Sequence, residues 1–329
     1  HLMLLLNSPD QQTGQQSRNT LNYLAQDNSN FAEIMKRIDL KSIAVELKKT
    51  LVGSEEQKKQ ILNKQELQCY LIYVILNGRE DEQLCKTIIN SGIVALFLNI
   101  FEQRDLSLIT QPFTTAFRML TQDRIEITNQ LLNQKQIPSL LRLLNHNDVE
   151  VISDIMKIFF NFIFASNNGS QDTTANPYYD VLAVHNGVDK FYSIFKRTDI
   201  NKETKDTTAF CIGFLHRRQQ IANQLIRVDI ISYLKQLTND PNKQICDMSN
   251  DAIFCLALNS EIEKGGFQIF DNLEFAQQNP NHPQSELQDF LSQFGEIKDI
   301  QYSPHIPGQA RFAEVEFKNH EAAEAITNL

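Results

Sequence analysis

The chain has 329 residues and carries 31 Lys+Arg against 40 Asp+Glu, a formal net charge of −9. That balance gives no bulk attraction for a polyanion, so any contact with nucleic acid has to be local. Only 11 Gly and 9 Pro supply too little turn punctuation for a many-stranded sandwich or propeller, which leaves helix as the majority state.

At roughly 100 to 200 residues per domain the length fits two domains, or one elongated array with an appendage. Asn (29) and Gln (30) are scattered through periodic apolar segments, the pattern of polar surface on a folded chain and not of a low-complexity tract. Cys69, Cys85, Cys211, Cys246 and Cys255 are odd in number and show no Cys-x-x-Cys spacing. They fit reduced, buried thiols of an intracellular protein of the nucleus or cytoplasm. The apolar stretches at 70–76 and 158–165 fall short of the ~18 to 20 residues of a membrane span, so no membrane partner is expected. The run 1–6 is too short for a signal peptide. Asn168-Gly169-Ser170 fits the glycosylation acceptor pattern and reads as a loop.

Taken in chain order, residues 1–10 read as the tail of a second helix. A phrase then recurs: a short helical segment, a turn residue, and an apolar residue opening the next helix. Its copies lie at 30–40, 83–93, 127–137, 178–188 and 219–230, and self-similarity of this kind marks a repeat array. After the junctions apolar residues return at helical spacing, as Ile93, Leu96, Phe97, Ile100, then Ile137, Leu140, Leu141, Leu144, then Val188, Phe191, Phe195, giving each helix one apolar face. The junctions Leu40, Ile93, Ile137, Val188 and Ile230 are 53, 44, 51 and 42 residues apart, and the shorter intervals match the period of about 40 to 47 residues seen in helical repeat units. The excess falls in a polar insertion at 167–177 and in a lengthened helix beginning near Glu55.

The clearest unit runs from Gln136-Ile137-Pro138 through Leu143-Leu144 and Asp148 into a long apolar helix containing Asn161. It resembles an armadillo repeat, whose second helix opens on an Ile-Pro phrase and whose third helix is apolar. The resemblance covers residues 1–262 and implies a mainly α fold, a right-handed α-solenoid with a groove for a protein or extended peptide. Armadillo carriers of nuclear cargo resemble one another in a Trp and an Asn spaced along the third helix. Here Asn161 stands at the Asn place and Lys157 at the Trp place, and the chain has no Trp. The equivalent Asn places in the adjacent units hold Arg118 and a residue near Ile212. Asn161, Lys157 and Arg118 are therefore the candidate groove residues, and a nuclear-import role is disfavoured. The stretch 190–227 holds Lys190, Lys196, Arg197, Lys202, Lys205, Arg217, Arg218 and Arg227 against Asp199, Glu203 and Asp206, a net of +5. Lys196, Arg197, Arg217 and Arg218 are candidates for an auxiliary basic surface, with the Arg pair its strongest part.

From Lys264-Gly265-Gly266 the period changes to alternation. The expected order is a strand at 267–273, a helix opened by Ser285-Glu286-Leu287-Gln288, strands at 297–302 and 311–317, and a helix at 319–329. Asn272-Leu273, Phe294-Gly295-Glu296-Ile297, Phe312 to Phe317 and Glu321-Ala322-Ala323 carry a resemblance to an RNA recognition motif over 264–329. It implies a small α+β, ferredoxin-like domain that stacks single-stranded RNA on sheet aromatics. By that resemblance Phe312 is a stacking residue, Arg311 a phosphate contact, and Ile269 and Asn272 lie on the first strand's face. Glu314 replaces a second aromatic, and the module carries a net of −6. The resembled fold needs a fourth strand that this sequence does not reach, so the domain is expected to be truncated and the chain to be a fragment.

The sequence holds no phosphate-binding Gly-rich loop, nucleophile elbow or paired-histidine metal motif, and no cofactor is implied. The expectation is a non-enzymatic adaptor whose groove takes a protein or peptide and whose C-terminal sheet contacts RNA weakly. The alternative is a protein-only scaffold whose RRM-like domain takes a peptide.

Overall fold

A computed structural model describes residues 5, 6, 8, 10–79, 81–122, 136–166 and 174–257, with the backbone of 297–302 and 313–317. Among these, fourteen α-helices follow one another: α1 (Gln11–Ala25), α2 (Asn28–Met35), α3 (Leu40–Leu47), α4 (Glu55–Leu76), α5 (Glu82–Asn90), α6 (Ile93–Gln103), α7 (Gln111–Thr121), α8 (Ile137–Leu143), α9 (Val149–Ala165), α10 (Tyr179–Val184), α11 (Gly187–Phe195), α12 (Lys202–Leu215), α13 (Gln224–Leu237) and α14 (Lys243–Ala257). Two strands, β1 (Ile297–Tyr302) and β2 (Ala313–Phe317), pair antiparallel.

The helix starts follow from local chemistry. Asp10, Asp27, Asp39, Asp81, Asp148, Asn201 and Asn223 each cap a helix and accept from first-turn N–H groups, which have no carbonyl partner inside the helix. Ser54 and Gln57 form a reciprocal capping box, and α4 begins where the sequence places it. Pro112 and Pro138 occupy the first turns of α7 and α8, where a missing N–H costs nothing. Gly92, between α5 and α6, has φ of +83° with open space around its missing Cβ, so backbone conformation and not crowding demands glycine there.

Longer helices stack in a single row. Helix α4 packs on α1 and α7, α9 on α7 and α12, and α12 on α14. The shorter helices α3, α6 and α8 form a second row behind it. Between them runs one continuous apolar core from Leu6 to Leu256, in which each repeat covers the apolar face of its neighbour. Gly213 of α12 lets α14 approach so closely that a Cβ there would stand 2.9 Å from Ala252 Cβ. Cys69, Cys85, Cys211 and Cys255 are buried and Cys246 is partly so; burial pushes the Cys69 and Cys211 thiols up. No single helix among the described residues is long and apolar enough to cross a membrane.

The junction expected at Ile230 does not exist, because α13 runs unbroken from Gln224 to Leu237. Two of the true junctions turn on left-handed residues, Gly92 and Asn186, and the one at Leu40 on the cap Asp39; at Ile230 the helix has already been started by the Asn223 cap, and Asp229 is bonded by Tyr192 and Lys196 instead of capping. The left-handed turn of that unit lies earlier, at Arg218 with φ of 60°. The junction expected at 127–137 falls largely outside the described residues, as do 167–173 of the polar insertion. Its remaining part buries Asn176, whose amide donates to the Ile163 carbonyl at 3.2 Å and to Ser166 Oγ at 3.0 Å.

Gln65 is fully buried; its amide nitrogen donates to the carbonyls of Glu46, Leu47 and Lys49, and its oxygen accepts from Arg104 at 2.7 Å. Gln65→Leu strands these partners and lowers stability by about 2 kcal/mol, read as a shift in the urea midpoint. His216 is buried, donates from Nδ1 to the Ile212 carbonyl at 2.8 Å, and is pushed down to about 4 by desolvation. The unfolded chain binds a proton near pH 6.5 that the folded chain refuses. Stability is therefore whole above 6.5 and falls as pH drops toward 4. Between pH 7.5 and 5 the loss from this group is about 2 kcal/mol, and His216→Gln removes that part of the pH dependence in paired unfolding titrations.

Candidate ligand groove on the third-helix row

Helix α9 sits at the centre of the long-helix row and is nearly all interior. From Val151 to Ile163 its side chains are buried except at Lys157, Phe160 and Asn161, and Phe164 follows with 41% of its surface exposed. These four lie at i, i+3, i+4 and i+7, so they form one stripe on a helix otherwise enclosed by neighbours. The stripe is the open face of the row between α7 and α12.

Each polar member is tied to an adjacent long helix. Asn161 donates to Thr121 Oγ1 at 3.1 Å on α7, and Lys157 pairs with Glu203 at 2.8 Å on α12. One turn earlier, buried Asp154 accepts from Thr114 at 2.9 Å, Thr115 at 2.6 Å and Arg118 Nε at 2.8 Å. Ser153 accepts from Thr204 of α12 at 2.9 Å. A polar ladder thus joins α7, α9 and α12, with its charged groups satisfied inside the fold.

The apolar members form an aromatic ledge. Phe160 and Phe164 stack with centroids 5.4 Å apart, and Phe164 meets Phe214 of α12 edge-on at 5.4 Å. Phe210 lies 6.4 Å from Phe160. Such pairs fix ring orientation beyond simple burial. Of this stripe, sequence resemblance points to Lys157 and Asn161 but not to the phenylalanines. The available signal was Phe160 and Phe164, which continue the Lys157–Asn161 stripe at helical spacing.

The basic stretch 190–227 does not form the surface its charge count suggests. Arg217 is buried, 2% exposed, with its guanidinium against the Ser166 carbonyl at 3.3 Å; as a surface contact it is corrected. Burial there follows from its place at the α12 terminus, where it reaches back to the end of α9. Arg218 is exposed. Arg197 pairs with Asp199 at 2.6 Å, Lys196 with Asp229 at 3.0 Å, and Lys202 with both Asp206 and Asp240. The Tyr192 hydroxyl and then Lys196 hold the Asp229 carboxyl below its usual range. Lys205 lies over the rings of Phe195 and Tyr233. Asp229 and Asp240 fall outside the stretch, so a count within it missed the neutralising groups.

In the C-terminal region β1 and β2 occupy the expected places, with β2 starting two residues later than expected. Asp299 stands opposite Glu316 and Gln301 opposite Glu314, with an irregularity between Ile297 and Asp299. These four positions share one face of the pair, and Ile300, Tyr302, Ala313 and Val315 share the other. Phe312, Arg311, Ile269 and Asn272 lie outside the described residues.

Residues 277–329 match the family model of the RNA recognition motif; Arg311 and Phe312 fall inside the match, Ile269 and Asn272 outside it. The chain is similar in fold to a designed armadillo repeat protein, at 17% identity and a TM-score of 0.51, over 78% of this chain and 98% of that one. It is similar also to an engineered protein solved by a structural genomics consortium, at 16% identity and a TM-score of 0.52, over 81% and 96%. Comparison with curated proteins gives no match. The chain thus combines an armadillo-like helical solenoid with an RNA recognition motif match at its C-terminal end.

Asp154→Ala removes the acceptor shared by three side chains. Because Arg118 keeps partial access to water, the expected loss is about 2 kcal/mol and not that of a fully buried pair. It reads as a lower urea midpoint at unchanged slope, with a smaller change for Asp154→Asn.

Proposed function

We propose that the protein is a non-enzymatic adaptor: the groove along α7, α9 and α12 takes an extended peptide of a partner protein, and the C-terminal region contacts single-stranded RNA weakly. The observation that carries this reading is the presence, in one chain, of an armadillo-like solenoid with an open stripe on its central helix and an RNA recognition motif match. Stacked repeats offer an extended concave surface suited to a linear ligand. Asn161 brings an amide to that surface, with Lys157 and Arg118 beside it.

On the RNA side Phe312 would stack on a base, Arg311 would contact phosphate, and Ile269 and Asn272 would support the first strand. Lys196, Arg197 and Arg218 would give at most a weak auxiliary surface, since two of the three are ion-paired. Base–aromatic stacks contribute about 1 to 3 kcal/mol each, so a sheet with few aromatics binds weakly.

One observation favours a second reading, a protein-only scaffold. Asp299, Glu314 and Glu316 share one face of β1 and β2, and three carboxylates there oppose a phosphate-rich ligand. A peptide partner of the C-terminal region meets no such penalty.

Fluorescence-anisotropy titration of mixed-sequence single-stranded RNA with the full chain, at two salt concentrations, separates the two. The adaptor reading expects micromolar affinity that weakens with salt and is lost in Phe312→Ala. Absence of binding at low salt overturns the RNA part and leaves the protein-only scaffold.

A further inference from the structure

The open stripe of α9 has a chemistry that narrows what the groove accepts. Its cations are already engaged: Arg118 with Asp154 and Lys157 with Glu203, each at 2.8 Å. A basic ligand segment laid along the stripe meets two fixed cations. An acidic one has to compete with carboxylates held at hydrogen-bond distance, and it gains little because both pairs are already formed. The floor of the groove is therefore electrically matched within itself, and what it leaves open to a ligand is apolar.

That apolar part is organised before anything binds. Phe164 is 41% exposed, yet it is stacked on Phe160 and set edge-on against Phe214, so its ring is held without a ligand. Ordering a side chain on binding has an entropic cost that a ring already fixed avoids. An exposed aromatic held between two other rings, beside the polar Asn161, has the composition of an interface anchor point: an apolar centre with a polar border.

We infer that the Phe160–Phe164–Phe214 ledge is the anchor site for an uncharged, extended segment of a partner protein, which lays an aromatic or large aliphatic side chain on Phe164. This rests on the peptide-groove reading above and adds the class of ligand: specificity here comes from an apolar anchor and not from charge. A ligand of this kind leaves the Arg118–Asp154 and Lys157–Glu203 pairs intact, whereas a charged one must disrupt or oppose them.

The test is panning of a random linear dodecapeptide library on the immobilised full chain, followed by anisotropy titration of the selected peptides. The titrations use the wild type, Phe164→Ser, Phe164→Tyr and Asn161→Ala, with the thermal midpoint of each variant recorded. The expected result is enrichment of peptides with Phe, Tyr, Trp, Leu or Met in an uncharged core. Phe164→Ser weakens them about tenfold or more while Phe164→Tyr, which keeps the ring, stays within a few-fold. Enrichment of strongly basic or acidic peptides that tolerate Phe164→Ser but weaken in Asn161→Ala overturns the ledge and leaves the groove reading standing. Peptides indifferent to both positions, or no enrichment at all, overturn both.

Discussion

The solenoid depends on how its helices end. The last carbonyls of a helix have no donor within it, and in a stack of short helices many such ends are enclosed by the next unit. Long polar side chains from later in the chain supply the donors. Arg79 reaches the Ala25 carbonyl at the end of α1, and Arg142 bonds the Phe101 and Arg104 carbonyls at 2.9 and 2.7 Å at the end of α6. Asn176 and Arg217 close the end of α9. Gln65 closes α3. Apolar contact between repeats is non-directional and leaves sliding and rotation open. These bonds, spanning tens of residues in sequence, select one stacking register. The arginines accept desolvation in exchange: burial holds Arg104 below its ordinary value, and its guanidinium lies over the Phe113 ring.

The same economy of charge shapes the candidate site. Asp154, Lys157 and Arg118 join the long helices to one another, and so they are largely spent on the fold. An ion pair that couples two helices offers a ligand only what remains after its own hydrogen bonds are made. What α9 leaves over is the part of the Asn161 amide not bonded to Thr121, the aliphatic stem of Lys157 and two phenylalanine rings. The character of the stripe is thus set by packing.

Much of this was legible in the sequence because it is local. Caps at Asp39, Ser54, Asp81 and Asp148 stand immediately before apolar periodic segments, and the start of α4 and the bounds of β1 follow directly. The false junction at Ile230 shows where locality fails. The apolar spacing of that segment matched the other units, but Asn223 had already started the helix and Asp229 was bonded by Tyr192 and Lys196 instead of capping a new one, and periodicity alone says nothing of that. Arg217 shows the second failure, since an arginine pair reads as surface charge until the end of α9 is brought beside it. The aromatic ledge is the third: Phe160 and Phe164 belong to an apolar run that reads as core, and only the packing of α12 separates the rings that are covered from the ring that is not.

These features together set how such a molecule meets a partner. A chain of net charge −9 whose groove cations are paired internally exerts little long-range attraction on a neutral peptide. Under the proposed function encounter then proceeds at the unassisted rate, about 10⁵ to 10⁶ M⁻¹s⁻¹, and discrimination falls on the lifetime of the complex. Lifetime is governed by desolvated, well-packed contacts near the centre of an interface. Under the proposed function that centre is the stripe of α9, the helix whose remaining faces are enclosed by α7, α8 and α12.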